Sequence, residues 1–317
     1  MNLGVSSCLL GSSCRYDGGH SRNEYVMEQL GTHFELVPFC PEAIIFGTPR
    51  DAMRLVEYAK EDIRVEFTNT KEDITPQLKD ISQKEALRAG QENLCGFVFK
   101  SKSPTCGIER VKVYQKDNPY SEKKGAGLFA HAIRSRYPYL PIEEEGRLHD
   151  PWLRENFLMQ VFAYQDWYNF LSTNPSMGEL VEFHTQYKYL IYAKSHEKYK
   201  ALGAIVANHE KHPLKQLLEE YQTGFLQAIA LKGNKGKTYN ILQHIYGYFS
   251  KEISHDERQE LLSSMNEYKE GIVPLIAIIK MFNLYIKRFK IEYLAKQKFL
   301  APYPNELALR SDILAYK

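Results

Sequence analysis

Three short apolar runs in the first half of the chain each hand over to a loop that carries a cysteine. Residues 3–7 lead into Cys8, residues 34–39 into Cys40, and Cys95-Gly-Phe-Val-Phe-Lys100 into Ser-Lys-Ser-Pro-Thr-Cys106-Gly. Apolar runs of this length, closed by Gly, Pro and Ser, read as buried strands. A sheet aims its loops from the strand ends, where α/β domains carry their reactive groups. The pattern therefore constrains the chain to a fold in which separate strand ends meet at one edge.

The rest of residues 1–146 fits that constraint. Helical patterns over 23–30 and 74–92 alternate with strand patterns over 63–68 and 111–114. A helix opens in Gly125-Ala-Gly-Leu-Phe-Ala-His, followed by a short apolar run over 140–142. This rhythm predicts an α/β domain with a mostly parallel sheet. The character changes at Arg147-Leu-His-Asp-Pro-Trp152, where Asp150 is a ready N-cap and Pro151 suits the first helical position. Helical patterns then run over 177–193, 197–208, 213–231, 237–249, 256–271 and 274–295, with no strand-like segment between them. An all-α domain over 150–317 is expected.

No apolar run approaches the roughly 18 residues a membrane span needs. The N-terminus lacks a basic n-region and a cleavage pattern, and reads as a first buried strand. Five cysteines, an odd number, fit reduced thiols in the cytoplasm. The net charge of +2 divides into an acidic excess of 2 over residues 1–150 and a basic excess of 4 over 151–317. Basic clusters such as Lys232-Gly-Asn-Lys-Gly-Lys237, set among many tyrosines, suit phosphate contacts with base stacking.

Cys8, Cys40 and Cys106 are singletons from distant loops, whereas zinc thiolates tend to arrive in close pairs. Three converging thiolates without an obvious fourth partner predict a metal site with one open position. Cys95, inside an apolar run, reads as core. Cys14 stays undecided on these grounds.

The strings Ser-Ser-Cys8-Leu-Leu-Gly-x-x-Cys14-Arg-Tyr-Asp-Gly-Gly, Cys40-Pro-Glu, Gly-Thr-Pro-Arg50 and Lys-Ser-x-Ser-Pro-Thr-Cys106-Gly stand in that order within residues 1–145. Together they resemble the TudS-like thiouracil desulfurases. Phe183-His-Thr-Gln-Tyr-Lys188, Ala193-Lys-Ser-His196 and Tyr199-Lys-x-Leu-Gly203 resemble the YbgA-type helical domain often fused to them. The fusion is similar to desulfidases of 4-thiouridine and 4-thiouracil compounds, with a link to thiolated tRNA.

The resemblance implies a 4Fe–4S cluster on Cys8, Cys40 and Cys106, whose remaining iron is open to the substrate's sulfur. Cys14 is not implied as a ligand. It further implies a non-redox hydrolysis in which a thiolated pyrimidine and water give the oxo base and hydrogen sulfide. Glu42, two residues after Cys40, is the expected proton-transfer group. Ser101 and Ser103 are expected to orient the base or the water, and Arg15, Tyr16 and Asp17 to hold the pyrimidine or a phosphate. Arg50 and Lys100 are further candidates for balancing the cluster's negative charge. In the helical half, Lys188, Lys194, Lys198 and Lys200 are candidates for RNA contact, while His184 and His196 read as packing or surface. Two rival readings are a non-catalytic tRNA-binding or sulfur-carrying protein and a zinc-stabilised structural protein.

Overall fold

The computed structural model describes residues 1–118, 120–207 and 212–307. The chain separates into two compact units, Met1–His149 and Asp150–Lys317.

The first unit holds two four-stranded sheets. In chain order its elements are β1 (Asn2–Ser6), β2 (Glu35–Phe39), α1 (Pro41–Phe46), β3 (Met53–Ala59), β4 (Asp62–Phe67), α2 (Thr75–Gln91), β5 (Leu94–Phe99), β6 (Val111–Gln115), β7 (Ser121–Gly125), α3 (Leu128–Arg136) and β8 (Ile142–Glu144). One sheet has the order β2-β1-β5-β8, and all its pairings are parallel. The other, β4-β3-β6-β7, is mixed: only β3 and β6 run parallel. The expected mostly parallel α/β architecture is thus present, with a mixed second sheet beside the parallel one.

All six residues of β5 are buried, the signature of a strand covered on both faces. Its Phe97 and Phe99 stack with ring centres 4.0 Å apart, and Phe39 and Phe129 pack on Phe97 at 5.2 and 5.7 Å. The second sheet closes over Leu55, Val65, Ile74, Leu78, Val111 and Val113. Burying an aliphatic or aromatic side chain of this kind contributes about 1.5–3 kcal/mol.

Two local expectations differ. The helix expected over 23–30 is a single wide turn, Tyr25–Gln29, held at its start by Asn23 Oδ1 accepting from Val26 N–H. Gly125 closes β7, and α3 begins only at Leu128.

The second unit is helical: α4 (Pro151–Ser172), α5 (Met177–Lys194), α6 (His196–Ala207), α7 (Leu214–Ala230), α8 (Lys235–Tyr246), α9 (His255–Glu270), α10 (Leu275–Arg288) and α11 (Glu292–Ala295). Asp150 caps α4, accepting from Trp152 and Leu153 N–H at 2.9 and 3.3 Å. Ser176–Glu179 and Ser254–Glu257 form reciprocal capping boxes on α5 and α9. The buried Trp167 anchors the bundle against Phe183, Tyr221 and Phe225. Position 208, the expected end of α6, lies outside the described residues. No helix among those described is long and apolar enough to cross a membrane.

Candidate active site

The order β2-β1-β5 puts a topological switch beside β1, since the chain winds to one side through β2 and to the other through β5. In parallel α/β sheets, ligand crevices open at such a point, outside the carboxyl ends of the strands. A cavity of about 450 Å³ opens there. Cys8 follows β1, Cys40 follows β2, and the loop from Lys100 to Cys106 follows β5. All three cysteines line the cavity, with Cys14, Arg15, Tyr16, Glu42, Arg50, Ser101 and Ser103.

Each group is fixed by its own local chemistry. Cys8 sits in a tight turn, Ser7–Leu10, closed by Gly11 at φ 87°, where a side chain would be strained. Cys40 is the N-cap residue of α1, which places Glu42 in that helix's first turn. Ser103 Oγ accepts from the backbone N–H groups of Thr105 and Cys106, both at 3.1 Å, and shapes the cysteine's turn. The start of α3 docks on the same turn: Phe129 and Ala130 N–H donate to Thr105 O at 2.9 and 3.2 Å. A Cβ on Gly127 would collide with the Thr105 backbone, so that approach requires glycine.

Glu42 is held from both sides. Ser103 Oγ donates to Glu42 Oε1 at 3.2 Å, and Arg50 forms an ion pair with Oε2. Arg50 also donates to the carbonyls of Cys14 and Gly47, each at 3.0 Å. Ser101 does not reach Glu42. Its Oγ and N–H donate to Glu145 at 2.8 and 2.6 Å, and Lys100 pairs with the same carboxylate.

The sequence reading missed this acidic support. Glu143, Glu144 and Glu145 are all buried. Glu144 Oε1 accepts from Ile108 N–H at 2.8 Å, just past Cys106, and Glu143 pairs with Arg147 at 2.6 Å. Burial pushes the Glu144 carboxyl above its usual range, partly offset by the Ile108 and Glu109 amides. Three successive carboxylates carry no apolar pattern that would mark them as buried. Their one legible signal is their place directly after the last apolar run.

Asp17 corrects one expectation. It accepts from Gly19 N–H at 3.0 Å and pairs with Arg15 in an exposed turn, and it does not line the cavity. A short polar side chain beside Gly18-Gly19 is used up by its own backbone.

Hydrogen bonding to Cys14, followed by burial, raises the Cys40 thiol well above the ordinary thiol value. Burial does the same to Cys106, with Glu42 and Cys40 adding to it. The Cys14 thiol is pushed up to about 11; Cys40 as hydrogen-bond partner lowers it, while Cys8 and burial raise it by more. These thiols stay protonated unless cationic charge enters the cavity, so metal binding here releases protons. Among the described residues no three His, Cys, Asp or Glu groups are arranged to hold a single metal ion. A single zinc needs every thiolate about 2.3 Å from one point. A multi-iron cluster takes one thiolate per iron and needs donors spread around a larger void. Thiols on the wall of a cavity of about 450 Å³ are the donor set that such a group takes. Cys95 is fully buried and absent from the cavity lining, as expected of a core residue.

In the helical unit, Lys194 departs from expectation. It is 2% exposed, and its ammonium bonds Asn156 Oδ1 inside the bundle, out of reach of RNA. Lys200 is exposed, Lys198 bonds Gln227 at 2.7 Å, and Lys188 lies 5.7–6.0 Å from the rings of Tyr189, Tyr199 and Tyr293. His184 is buried, with Nδ1 3.1 Å from Tyr221 Oη, and burial lowers its pKa to about 4. His196 is exposed and stacks on Tyr192.

A parallel sheet whose switch-point crevice is walled by thiols, with a clamped carboxylate among them, defines the first unit as an α/β protein with a candidate metal-dependent site. Residues 3–145 match the family model described as 2-thiouracil desulfurase, and residues 188–304 match one described as a protein of unknown function, DUF1722. The chain is 32% identical over 147 residues to "Uncharacterized protein YbbK" of Bacillus subtilis (strain 168), covering 44% of this chain and 93% of that one. It is 26% identical over 157 residues to "Uncharacterized protein YbgA" of Escherichia coli (strain K12), covering 49% of this chain and 93% of the relative. A solved structure titled as a [4Fe-4S]-dependent thiouracil desulfidase, TudS, aligns at 23% identity and a TM-score of 0.38, over 47% of this chain and 93% of that one. The chain belongs to the 2-thiouracil desulfurase family through its α/β unit, with a DUF1722 region following.

Proposed function

We propose that the protein is an iron–sulfur-dependent desulfidase that hydrolyses the thione of a thiolated pyrimidine to the oxo base and hydrogen sulfide. The observation that carries this reading is the meeting of Cys8, Cys40, Cys106 and Glu42 around one cavity in a chain of this family. The three thiolates would hold a 4Fe–4S cluster. When bound, such a cluster supplies a Lewis-acidic iron for the soft thione sulfur.

The chain's own residues do the rest. Glu42 accepts the proton of the attacking water, and Arg50 and Ser103 keep its carboxylate aimed into the cavity. Glu145 holds Ser101 on the cavity wall, where the hydroxyl orients the pyrimidine or the water. Arg15, packed over Tyr16 at 5.5 Å, offers a cation and an aromatic edge to the base. Residues 1–146 form the desulfidase domain and 150–317 an accessory domain in a cytoplasmic protein.

The substrate on this reading is 4-thiouridine or thiouracil, free or within tRNA. Tyr192, His196 and Tyr199 stack at centroid distances of 4.9–6.2 Å, with His244 at 5.5 Å from Tyr192, and Lys188, Lys198 and Lys200 lie on the same two helices. Rings with lysines support single-stranded nucleic-acid docking.

The test is anaerobic reconstitution with iron and sulfide, then incubation with 2-thiouracil, 4-thiouracil, 4-thiouridine and thiolated tRNA. Loss of the thione absorbance with one sulfide released per base is expected, and Cys106→Ala should abolish it. A full cluster with no turnover on any of the four would refute the catalytic reading in favour of a sulfur carrier.

A further inference from the structure

We propose that the open face of the β4-β3-β6-β7 sheet is a docking surface for the single-stranded RNA that flanks the thiolated base. The inference rests on the reading above that the base lies within RNA, and it adds a contact surface in the α/β unit that the reading does not use.

Strand alternation sorts this sheet into two faces. Leu55, Val65, Val111 and Val113 point into the core. Arg54, Val56 and Tyr58 of β3, Asp62, Arg64 and Glu66 of β4, Lys112 and Tyr114 of β6, and Lys123 of β7 therefore share the other face. Cation contacts confirm the grouping: Arg54 lies 5.2 Å from the Tyr114 ring, and Arg64 and Lys116 lie 4.8 and 4.4 Å from the Tyr58 ring. The acids of this face are spent on its arginines. Arg54 donates to Glu66 at 2.7 and 2.9 Å, and Arg64 pairs with Asp62 at 2.8 Å and Asp73 at 3.3 Å. Lys112, Lys116 and Lys123 are exposed, and among the described residues no carboxylate pairs with any of them. The charge left over is positive, which suits a polyanion.

The rings select which polyanion. Tyr58 Oη donates to Glu66 Oε2 at 3.1 Å, and Glu66 stands opposite Arg54. The Tyr58 ring thus lies along the sheet, and Val56 between the two positions is buried. Tyr114, in register with Val56, is half-buried beside it. Two phenol rings and a guanidinium plane on an open sheet are stacking platforms for unpaired bases. A duplex keeps its base faces to itself and would meet only the lysines. The surface also adjoins the cavity: β3 begins at Met53, which lines the cavity with Ala52, and β6 follows the Cys106 loop. Arg54, Lys112 and Lys123 stand at that end of the sheet, so a strand whose thiolated base enters the cavity has its next nucleotides beside them.

The test measures fluorescence anisotropy of a labelled oligouridine, and of an RNA hairpin duplex, against the full chain over a range of salt. The variants are a triple change, Lys112→Ala with Lys116→Ala and Lys123→Ala, and the pair Tyr114→Ala and Tyr114→Phe. The triple variant should bind oligouridine more weakly, with its salt slope reduced by about 2, or about 0.7 for each lysine on a single strand. Tyr114→Ala should weaken oligouridine binding at least about fivefold, and Tyr114→Phe, which keeps the stacking ring, should restore it. All variants should turn over free 4-thiouracil as wild type does, while the triple variant and Tyr114→Ala raise KM on thiolated tRNA. An unchanged affinity and salt slope in the triple variant would overturn the inference, as would a duplex bound as tightly as oligouridine. Wild type that turns over free 4-thiouracil but binds no oligouridine would overturn the inference and leave the desulfidase reading standing. Oligouridine binding with the expected losses but no turnover of any thiolated base would keep the surface and remove the desulfidase reading.

Discussion

Glu145 supports the Ser101 side of the site, and removing it is the sharpest structural test of how that side is built. Its carboxylate binds the Lys100 ammonium, the Ser101 N–H and the Ser101 hydroxyl, with a side chain only 9% exposed. Glu145→Ala leaves the Ser101 N–H without its acceptor and the largely buried Lys100 ammonium with only the Ser101 carbonyl and hydroxyl, each at 3.3 Å. Breaking a fully buried pair from one side costs about 3–5 kcal/mol. Lys100 is 21% exposed, so water recovers part of that and roughly 3 kcal/mol is expected. For a unit of this size that lowers the melting temperature by roughly 6–12 °C. Glu145→Gln keeps one acceptor oxygen and should recover about half of the loss. Differential scanning calorimetry of the three proteins measures this, and turnover of the folded variants should fall at least about tenfold as Ser101 loses its orientation. A loss below about 1 kcal/mol in the alanine variant, or full activity with Ser101 unanchored, would refute the reasoning.

Glu42→Gln should leave iron content unchanged while lowering kcat by roughly 10²–10⁴, the ordinary worth of a positioned proton acceptor; an unchanged kcat would remove Glu42 from the chemistry. His184 is held neutral with a folded pKa of about 4 against 6.5 unfolded, so its contribution is present above pH 6.5 and lost as pH falls through about 4. That is roughly 3 kcal/mol, readable as a fall in urea midpoint that His184→Gln should flatten. Lys194→Met should cost about 2–4 kcal/mol of stability with no change in affinity for thiolated tRNA, because its ammonium is committed to Asn156. Lys200→Met should do the reverse, lowering affinity and reducing the salt slope by about one in a filter-binding titration.

The strands β1 and β5 were the most legible in the sequence, because burial on both faces leaves continuous apolar runs; β2, an edge strand with Glu35 and Pro38 exposed, was legible through Leu36, Val37 and Phe39 leading into Cys40. The cysteines that follow them make the convergence legible in the sequence. The strand β7 was not legible: Ser121–Gly125 is an edge strand whose Glu122, Lys123 and Lys124 face solvent, so backbone pairing with β6 alone defines it. The strand β3 was hidden by Arg54 and Glu57, which break the alternation and are paired with Glu66 and Lys124 across the sheet. The helix α1 is only six residues long, too short for a periodic signal, yet it positions Glu42. Partners distant in sequence decided the differences at Lys194 and Glu145, and a local turn decided the one at Asp17. Lys194 is buried because Asn156 meets it, Asp17 is spent on its own turn, and Glu145 matters because the loop after β5 folds over it.

The most direct test of the central claim is the iron and sulfide content of Cys8→Ser, Cys40→Ser, Cys95→Ser and Cys106→Ser proteins after anaerobic reconstitution, with Mössbauer spectra of the products. A cluster retained in Cys95→Ser and lost or degraded in each of the other three is the predicted result. A cluster that survives loss of Cys106, or a stoichiometric zinc in place of iron in the protein as isolated, would contradict it.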